Sequence, residues 1–469
     1  MIQHPPRSLI GDHDPLDMEE GVDGIATFGG ADLVRYVALV GASLLIWITL
    51  PGMGLGKTSV MSAIIVTLGG ASIGLCAFGF HNHGFLVLAY MSSLEPALRL
   101  NSHRLPYNFL EYVVIAACIV PFLRTKVAAR WGSVAFALYI VLEAVDVFRS
   151  DTQLGYGEEV RTGVFRNIVI LGSAKLGMLI LGARSDLSGR GILAVILAYL
   201  VGSTTLALNG AMNLLGGGVR WGTASNFQIT GGMGPNQIGM LLAFGGICIL
   251  CSLRLSRSRL FRALLVGLLG LHVLTCVATF SRGPAIALGV GVLIYLASQA
   301  TRNPVIWLPV GVVLIGVVVG ATWLIYETSE SRLADRYLKK GISNRDTIAR
   351  GALSLFLENP VLGVGTGNFY AESVRRDIIQ GVETGTHNEA TRSLAEHGAV
   401  GGLIYGLFLA FSFHRAFTLS RGEGRVVRLL LFLMWFFSES YNGLKLNAQS
   451  FALAISTEGF AHDPERSIR

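Results

Sequence analysis

Runs of apolar residues, each broken by a short polar or basic link, repeat along this chain from Val34 to Phe413. Most are roughly 17–23 residues long, the length a helix needs to cross about 30 Å of hydrocarbon. The candidate spans are residues 34–50, 59–80, 84–98, 107–123, 131–148, 164–181, 192–208, 238–253, 263–280, 284–296 and 305–326. A long polar segment follows, then 400–413 and a weaker pair around 429–437 and 451–455. The pattern predicts an all-α integral membrane protein with about twelve to fourteen transmembrane helices.

The same pattern divides the chain into five parts. Residues 1–33 read as a polar, disordered cytoplasmic tail without signal-peptide character. Residues 34–326 hold the N-terminal membrane helices, and 327–396 form an extramembrane segment with an amphipathic helix. Residues 397–458 carry the C-terminal membrane helices and 459–469 a second tail.

Composition agrees with a membrane protein. Of the 469 residues 52% are hydrophobic and only 14% charged, against about a quarter charged in soluble domains. The net charge of +7 sits in short clusters between apolar runs, as topology signals do, and gives no reason to expect nucleic acid. Arg124, Lys126 and Arg130 form one cluster, Arg184 and Arg190 a second, Arg254, Arg257, Arg259 and Arg262 a third, and Arg415, Arg421, Arg425 and Arg428 a fourth. Counting spans puts all four on one side, which the positive-inside rule makes cytoplasmic. The 327–396 segment and the Ser281-Arg282-Gly283-Pro284 turn then fall together on the outer side. All five cysteines lie in apolar runs and read as small hydrophobes, including the Cys248/Cys251 pair.

Two glycine-rich stretches imitate nucleotide sites. Pro51 to Thr58 (PGMGLGKT) resembles a phosphate-binding loop, but Pro51 replaces the first glycine and no strand precedes it. Gly363 to Gly367 (GVGTG) lacks a surrounding βαβ pattern and reads as a tight turn after a helix. No acidic or histidine-rich spacing on the outer side calls for a metal, and no cofactor is expected.

The outer segment is about seventy residues long, too long for a plain connector. Ile348, Ala352, Leu353, Phe356 and Leu357 recur at helical spacing until Asn359-Pro360 stops the helix. This predicts an amphipathic helix lying on the membrane surface or over a cavity. Arg375 and Arg376 follow, then Thr386-His387-Asn388-Glu389 and a helix leading into Gly398-Ala399-Val400-Gly401. Taken singly, Arg282 reads as an interfacial arginine, Arg345 and Arg350 as solvated charges, and His387 as a structural histidine. Glu95, Glu111, Glu143 and Lys175 are costly in hydrocarbon, so they are expected to face the bundle interior and pair.

In order along the chain, Arg345, Pro360-Val361-Leu362-Gly363-Val364-Gly365, Phe369, His387-Asn388, nine residues, Gly398, two residues and Gly401 resemble the O-antigen ligase and polysaccharide polymerase family. Ser281-Arg282-Gly283 and Gly234-Pro235-Asn236 are similar to two further elements of that family. The resemblance covers chiefly residues 230–415. It implies a membrane glycosyltransferase of GT-C type using a glycan linked to undecaprenyl diphosphate, with lipid A-core or a growing polysaccharide as acceptor. It further implies a place in the bacterial inner membrane with the site facing the periplasm. By the same resemblance His387, Arg282 and Arg345 are the catalytic candidates. Arg282, Arg345, Asn388 and Asn236 are the substrate-binding candidates, joined by Arg166 because it lies near the outer end of its span.

The chemistry suits those residue types. Breaking the bond from sugar C1 to a diphosphate loads negative charge on the leaving phosphate. Arginine holds phosphate oxygens through paired donors at any physiological pH, which removes the need for a metal. A neutral imidazole near pH 7 can take the acceptor hydroxyl's proton. Ligase and polymerase share this donor chemistry, and the His-Asn to Gly-x-x-Gly spacing favours the ligase reading slightly. A related transferase that glycosylates proteins is a third option. A transporter of lipid-linked glycans is the reading from another class, but no internal repeat supports it.

Overall fold

The computed structural model describes residues 30–51, 53, 59–101, 105–124, 131–154, 169–185, 189–216, 219–221, 225–256, 258–300, 304–329, 345–376, 388–419, 422–442 and 447–457. Among these residues the regular elements are helices. α1 (Gly30–Leu44) continues through a wider π-type turn at Leu45–Thr49. There follow α2 (Ser59–Ala77), α3 (His81–Ser93), α4 (Glu95–Asn101), α5 (Phe109–Arg124), α6 (Trp131–Leu154), α7 (Leu171–Arg184) and α8 (Gly189–Leu215). Next come α9 (Pro235–Leu255), α10 (Arg259–Ala278), α11 (Arg282–Ala300) and α12 (Pro304–Thr328). α13 (Arg345–Glu358) and α14 (Asn368–Arg375) belong to the polar segment, and α15 (Glu389–Thr418), α16 (Gly422–Asn442) and α17 (Asn447–Thr457) are the last described.

Five stretches, Ser59–Ala77, Gly191–Leu215, Pro235–Leu255, Arg259–Ala278 and Glu389–Thr418, are each long and apolar enough to cross a membrane. Leu33–Thr49, Phe109–Ile119 and Leu171–Ala183 are apolar but shorter. The chain is an all-α integral membrane protein.

α9 is the centre of the bundle, packed on α8, α10, α11 and α16 and buried along almost its whole length. Small residues permit the close approach of neighbouring helices. A Cβ on Gly202 would lie 1.9 Å from Ser93 Oγ, and one on Gly245 would lie 2.5 Å from Ser203 Oγ. Hydroxyl groups tie α1 to its neighbours where water is absent. Trp47 Nε1 donates to Tyr90 Oη at 2.8 Å, Tyr90 donates to Ser43 Oγ at 2.9 Å, and Thr205 donates to the same Ser43 at 2.8 Å.

The span expected at 84–98 is two helices. Leu94 leaves helical geometry, and Pro96 near the start of α4 supplies no amide to continue the ladder. The break places buried Glu95 2.5 Å from Arg99, which also reaches Glu111 at 2.7 Å. Lys175 on α7 pairs with Glu439 on α16 at 2.5 Å. These acids and this lysine face the bundle interior and pair, as their cost in hydrocarbon requires.

The final helix is held by arginines of the basic link before it. Arg415 Nε donates to Thr457 O at 2.8 Å, and Arg428 Nη1 donates to Ser456 O at 2.9 Å. Both satisfy carbonyls that a helix end leaves unpaired and complement its dipole. The end of α17 therefore lies on the face that carries this basic link.

Candidate functional site

Two chain segments predicted to contribute to one site meet at the start of α11. Asn226 N donates to Thr279 O at 2.9 Å, and Thr279 Oγ1 closes the end of α10 by bonding Cys276 O at 2.7 Å. Phe280 then takes a φ of +56°, the one left-handed non-glycine among the described residues. That conformation is strained for a residue with a Cβ. It is held by burial of the Phe280 ring and by stacking of Trp221 on it, with centroids 5.1 Å apart. Ser281 Oγ donates to Asn236 Oδ1 at 2.6 Å, so the second residue of α9 is bonded to the residue just before Arg282. Gly239 leaves no room between α9 and this turn, because a Cβ there would lie 3.0 Å from Pro284. Arg282 thus stands half-buried as the first residue of α11, where the positive end of the helix adds to its own charge.

The polar segment is built around a second, separate cluster of Ile348, Ala352, Leu355, Val364, Phe369 and Ala395. α13 is amphipathic, and only part of its apolar stripe packs inward. Ile348, Ala352 and Leu355 are buried, while Leu353 and Leu357 are exposed. The packing partner is α15, and the three buried residues share the stripe that faces it. Arg345 is the first residue of α13, and its side chain lies outside the described residues.

The glycines of the ordered motif have a mechanical explanation. Gly363, with φ +63°, and Gly398, with φ +61°, lie in left-handed geometry. Val364 N and Gly365 N donate to Ala395 O and Glu396 O at 3.0 and 2.8 Å, and Ala399 N and Val400 N donate to Pro360 O and Val361 O at 2.7 and 3.3 Å. The post-helix turn and the kink of α15 are therefore zipped backbone to backbone. A Cβ on Gly363 would fall 2.3 Å from Glu396 C, and one on Gly398 would fall 2.5 Å from Val361 C. The glycine-rich turn is a structural clasp and makes no nucleotide fingerprint.

Asn388 caps α15, its side chain accepting from Ala390 N at 2.9 Å and Thr391 N at 3.3 Å, in the manner of an N-cap. His387 and Arg166 lie outside the described residues, as does most of Pro51 to Thr58. The structure thus brings Asn236 to the turn bearing Arg282 and places Asn388 at a helix start. Arg376 is bound by Glu358 at the end of α13 and by Glu372 at 2.9 Å. The hydrogen bond to Glu358, followed by Glu372, holds this guanidinium above the ordinary arginine range.

An ionic cluster that the sequence reading missed lies between α6 and α15. Arg392 donates to both oxygens of Glu143, one at 3.1 Å, to Glu396 at 2.8 Å and to Glu389. Tyr139 Oη donates to Glu389 at 2.9 Å. His397 sits between two acids, Nδ1 at 2.9 Å from Asp146 and Nε2 at 3.2 Å from Glu143. All seven residues are buried. Thr366 Oγ1, from the glycine turn, bonds Glu143 O at 3.0 Å, so the cluster and the clasp share one anchor on α6. One signal was present: Glu389, Arg392 and Glu396 recur at spacings of three and four, on one helix face. Ligand-type atoms of Glu143, Glu396 and His397 lie within 4.8 Å of one another. The guanidinium of Arg392 already occupies both carboxylates, and its charge opposes a cation there.

All five cysteines are buried thiols without disulfides. No curated protein matches the chain. Residues 267–406 match the family model of the O-antigen ligases, a stretch that includes Arg282, α13, the glycine clasp and the start of α15. Over that stretch the chain is similar to the O-antigen ligases.

Proposed function

We propose that this membrane protein, of the ligase and polymerase type by its family domain, transfers a glycan from undecaprenyl diphosphate to an acceptor hydroxyl. The acceptor is the lipid A-core of lipopolysaccharide, and the site faces the periplasm of the bacterial inner membrane. The observation that carries this reading is the junction at Arg282. A strained, buried turn bonded to Asn236 at 2.6 Å through Ser281 presents a permanent cation at a helix start. Such a rigid cation suits a diphosphate whose charge grows as the C1–O bond breaks.

In this reading Arg282 and Arg345 bind the diphosphate, assisted by Arg166, and Asn236 and Asn388 orient the sugar and the acceptor. His387 accepts the acceptor's proton as its oxygen attacks C1, and the diphosphate leaves without protonation. The four basic clusters support the topology through the positive-inside rule. Exposed Leu353, Leu357, Val361 and Leu362 support a segment resting on the bilayer. Val361 is bonded to Val400, where α15 becomes apolar.

The test is complementation of a deletion strain, with lipopolysaccharide and lipid-linked glycan resolved side by side. A deletion that leaves bare core and accumulated lipid-linked polymer, restored by wild type but not by His387→Ala or Arg282→Ala, supports ligation. Single-repeat chains mean polymerisation. Glycan trapped inside the cell means transport. Wild-type transfer by His387→Ala removes the base assignment.

A further inference from the structure

The connection from α8 to α9, residues 216–234, is longer than most connectors of membrane helices need to be. Its residues 226–230 are tightly bonded. Asn226 Oδ1 accepts from Gln228 N at 2.9 Å and Ile229 N at 3.3 Å, Asn213 Nδ2 donates to Ile229 O at 3.2 Å, and Thr230 Oγ1 donates to Phe227 O at 3.0 Å. Gln228 Oε1 accepts from Arg220 N at 2.6 Å, which closes the loop on itself.

This rigid loop leaves Phe227 56% exposed at its tip, with Arg220 and Gln228 exposed beside it and Trp221 half-buried. A single exposed apolar ring is ordinary on a protein surface; what singles out Phe227 is its place beside the turn that bears Arg282. The loop is joined to the turn before Arg282 twice, by Asn226 N to Thr279 O at 2.9 Å and by the Trp221–Phe280 stack. Whatever lies on it is therefore next to the group that Arg282 holds.

We propose that Trp221, Phe227, Arg220 and Gln228 form a saccharide platform. It receives the sugar units beyond the first one on the diphosphate of the lipid-linked glycan, and so rests on the transfer reading above. Pyranose rings present a face of C–H groups that stacks on the electron-rich face of an aromatic ring. Their hydroxyls are held edge-on by planar groups such as guanidinium and carboxamide. Stacking on Phe280 fixes the Trp221 ring in advance, which lowers the ordering cost of binding. The occupant that competes for Phe227 is the lipid headgroup region, where aromatic residues also collect.

The test uses the full-length protein in lipid nanodiscs with two donors, the host's own polyprenyl-diphosphate glycan and a polyprenyl diphosphate bearing one sugar. Phe227→Ala and Arg220→Ala each raise KM for the long donor about threefold to tenfold, with kcat kept, and leave the one-sugar donor unchanged. Equal changes for both donors, or none for either, overturn the platform. Quenching of a Phe227→Trp variant by brominated lipid, with both KM values unmoved, makes the loop a membrane anchor instead. Saturation-transfer NMR with free oligosaccharide released from the host's lipid-linked pool needs no turnover. Binding that Phe227→Ala abolishes supports the platform even if no variant transfers glycan, in which case the transfer reading alone fails. Binding unaffected by Phe227→Ala overturns the platform.

Discussion

Arg392 on α15 and Glu143 on α6 meet as a two-pronged ion pair inside the bundle, with both side chains buried. Such a pair adds little net stability over an apolar replacement of the same shape, yet removal of one partner strands the other's charge. Here the stranded charges would be Glu143, Glu389 and Glu396 together. Arg392→Ala is expected to cost about 3–5 kcal/mol, and Arg392→Lys to recover only part of it because an ammonium lacks the planar fork. Unfolding in mixed-detergent titrations reads this directly; a loss below about 0.5 kcal/mol would show that the cluster holds nothing.

The clasp between Gly363 and Gly398 makes a second claim. Gly398→Ala puts a methyl group 2.5 Å from Val361 C at a φ of +61°, and strain at such a position alone is worth about 1–3 kcal/mol. Gly406 lies on the same helix with nothing within 4 Å of its would-be Cβ. Gly406→Ala should leave melting temperature and transfer activity near wild type, while Gly398→Ala lowers both. Equal effects of the two changes would refute the clasp.

At the start of α11, charge and support should separate kinetically. Arg282→Ala is expected to lower kcat by about 10²–10³-fold, the usual result of deleting a fixed donor to developing charge. Ser281→Ala removes only the bond to Asn236, and should cost about 1 kcal/mol of stability and a far smaller part of the rate. Purified enzyme and lipid-linked donor provide the comparison. A larger rate loss from Ser281→Ala than from Arg282→Ala would reverse the assignment.

Arg428 is fully buried and bonded to the carbonyl groups of Ile455 and Ser456. Arg428→Met keeps much of the volume but leaves those carbonyls without a donor, at an expected cost of about 1–3 kcal/mol. Limited proteolysis of the C-terminal helix should accelerate in this variant. An unchanged cleavage rate would mean that Arg415 alone, through Thr457 O, secures the helix.

How much of this was legible in the sequence follows from the range of each interaction. The stop of α13 at Asn359-Pro360 and the tight turn at Gly363–Gly367 depend on neighbours in the chain, and both were readable. So was the rule that intramembrane acids must pair. Their partners were not, because Lys175 finds Glu439 and Glu143 finds Arg392 only through the packing of distant helices. The helix from Glu389 toward Gly398 was readable, but the burial of Glu389, Arg392 and Glu396 in its first part was not. Which stripe of α13 packs inward was not readable, because Leu353 and Leu357 are as apolar as Leu355 and only the position of α15 chooses among them.

The clasp has a consequence for how the polar segment can vary. Its four backbone bonds join Pro360–Gly365 to Ala395–Val400, and Thr366, Glu389 and Arg392 tie the chain between them to α6 as well. Closing a loop at its neck makes its stability depend only weakly on its length. Lengthening the chain between Arg376 and Thr386 is expected to cost little stability by that scaling. In the transfer reading proposed above, the length of that stretch would set its reach toward an acceptor, while the pairing of α6 with α15 stays as it is.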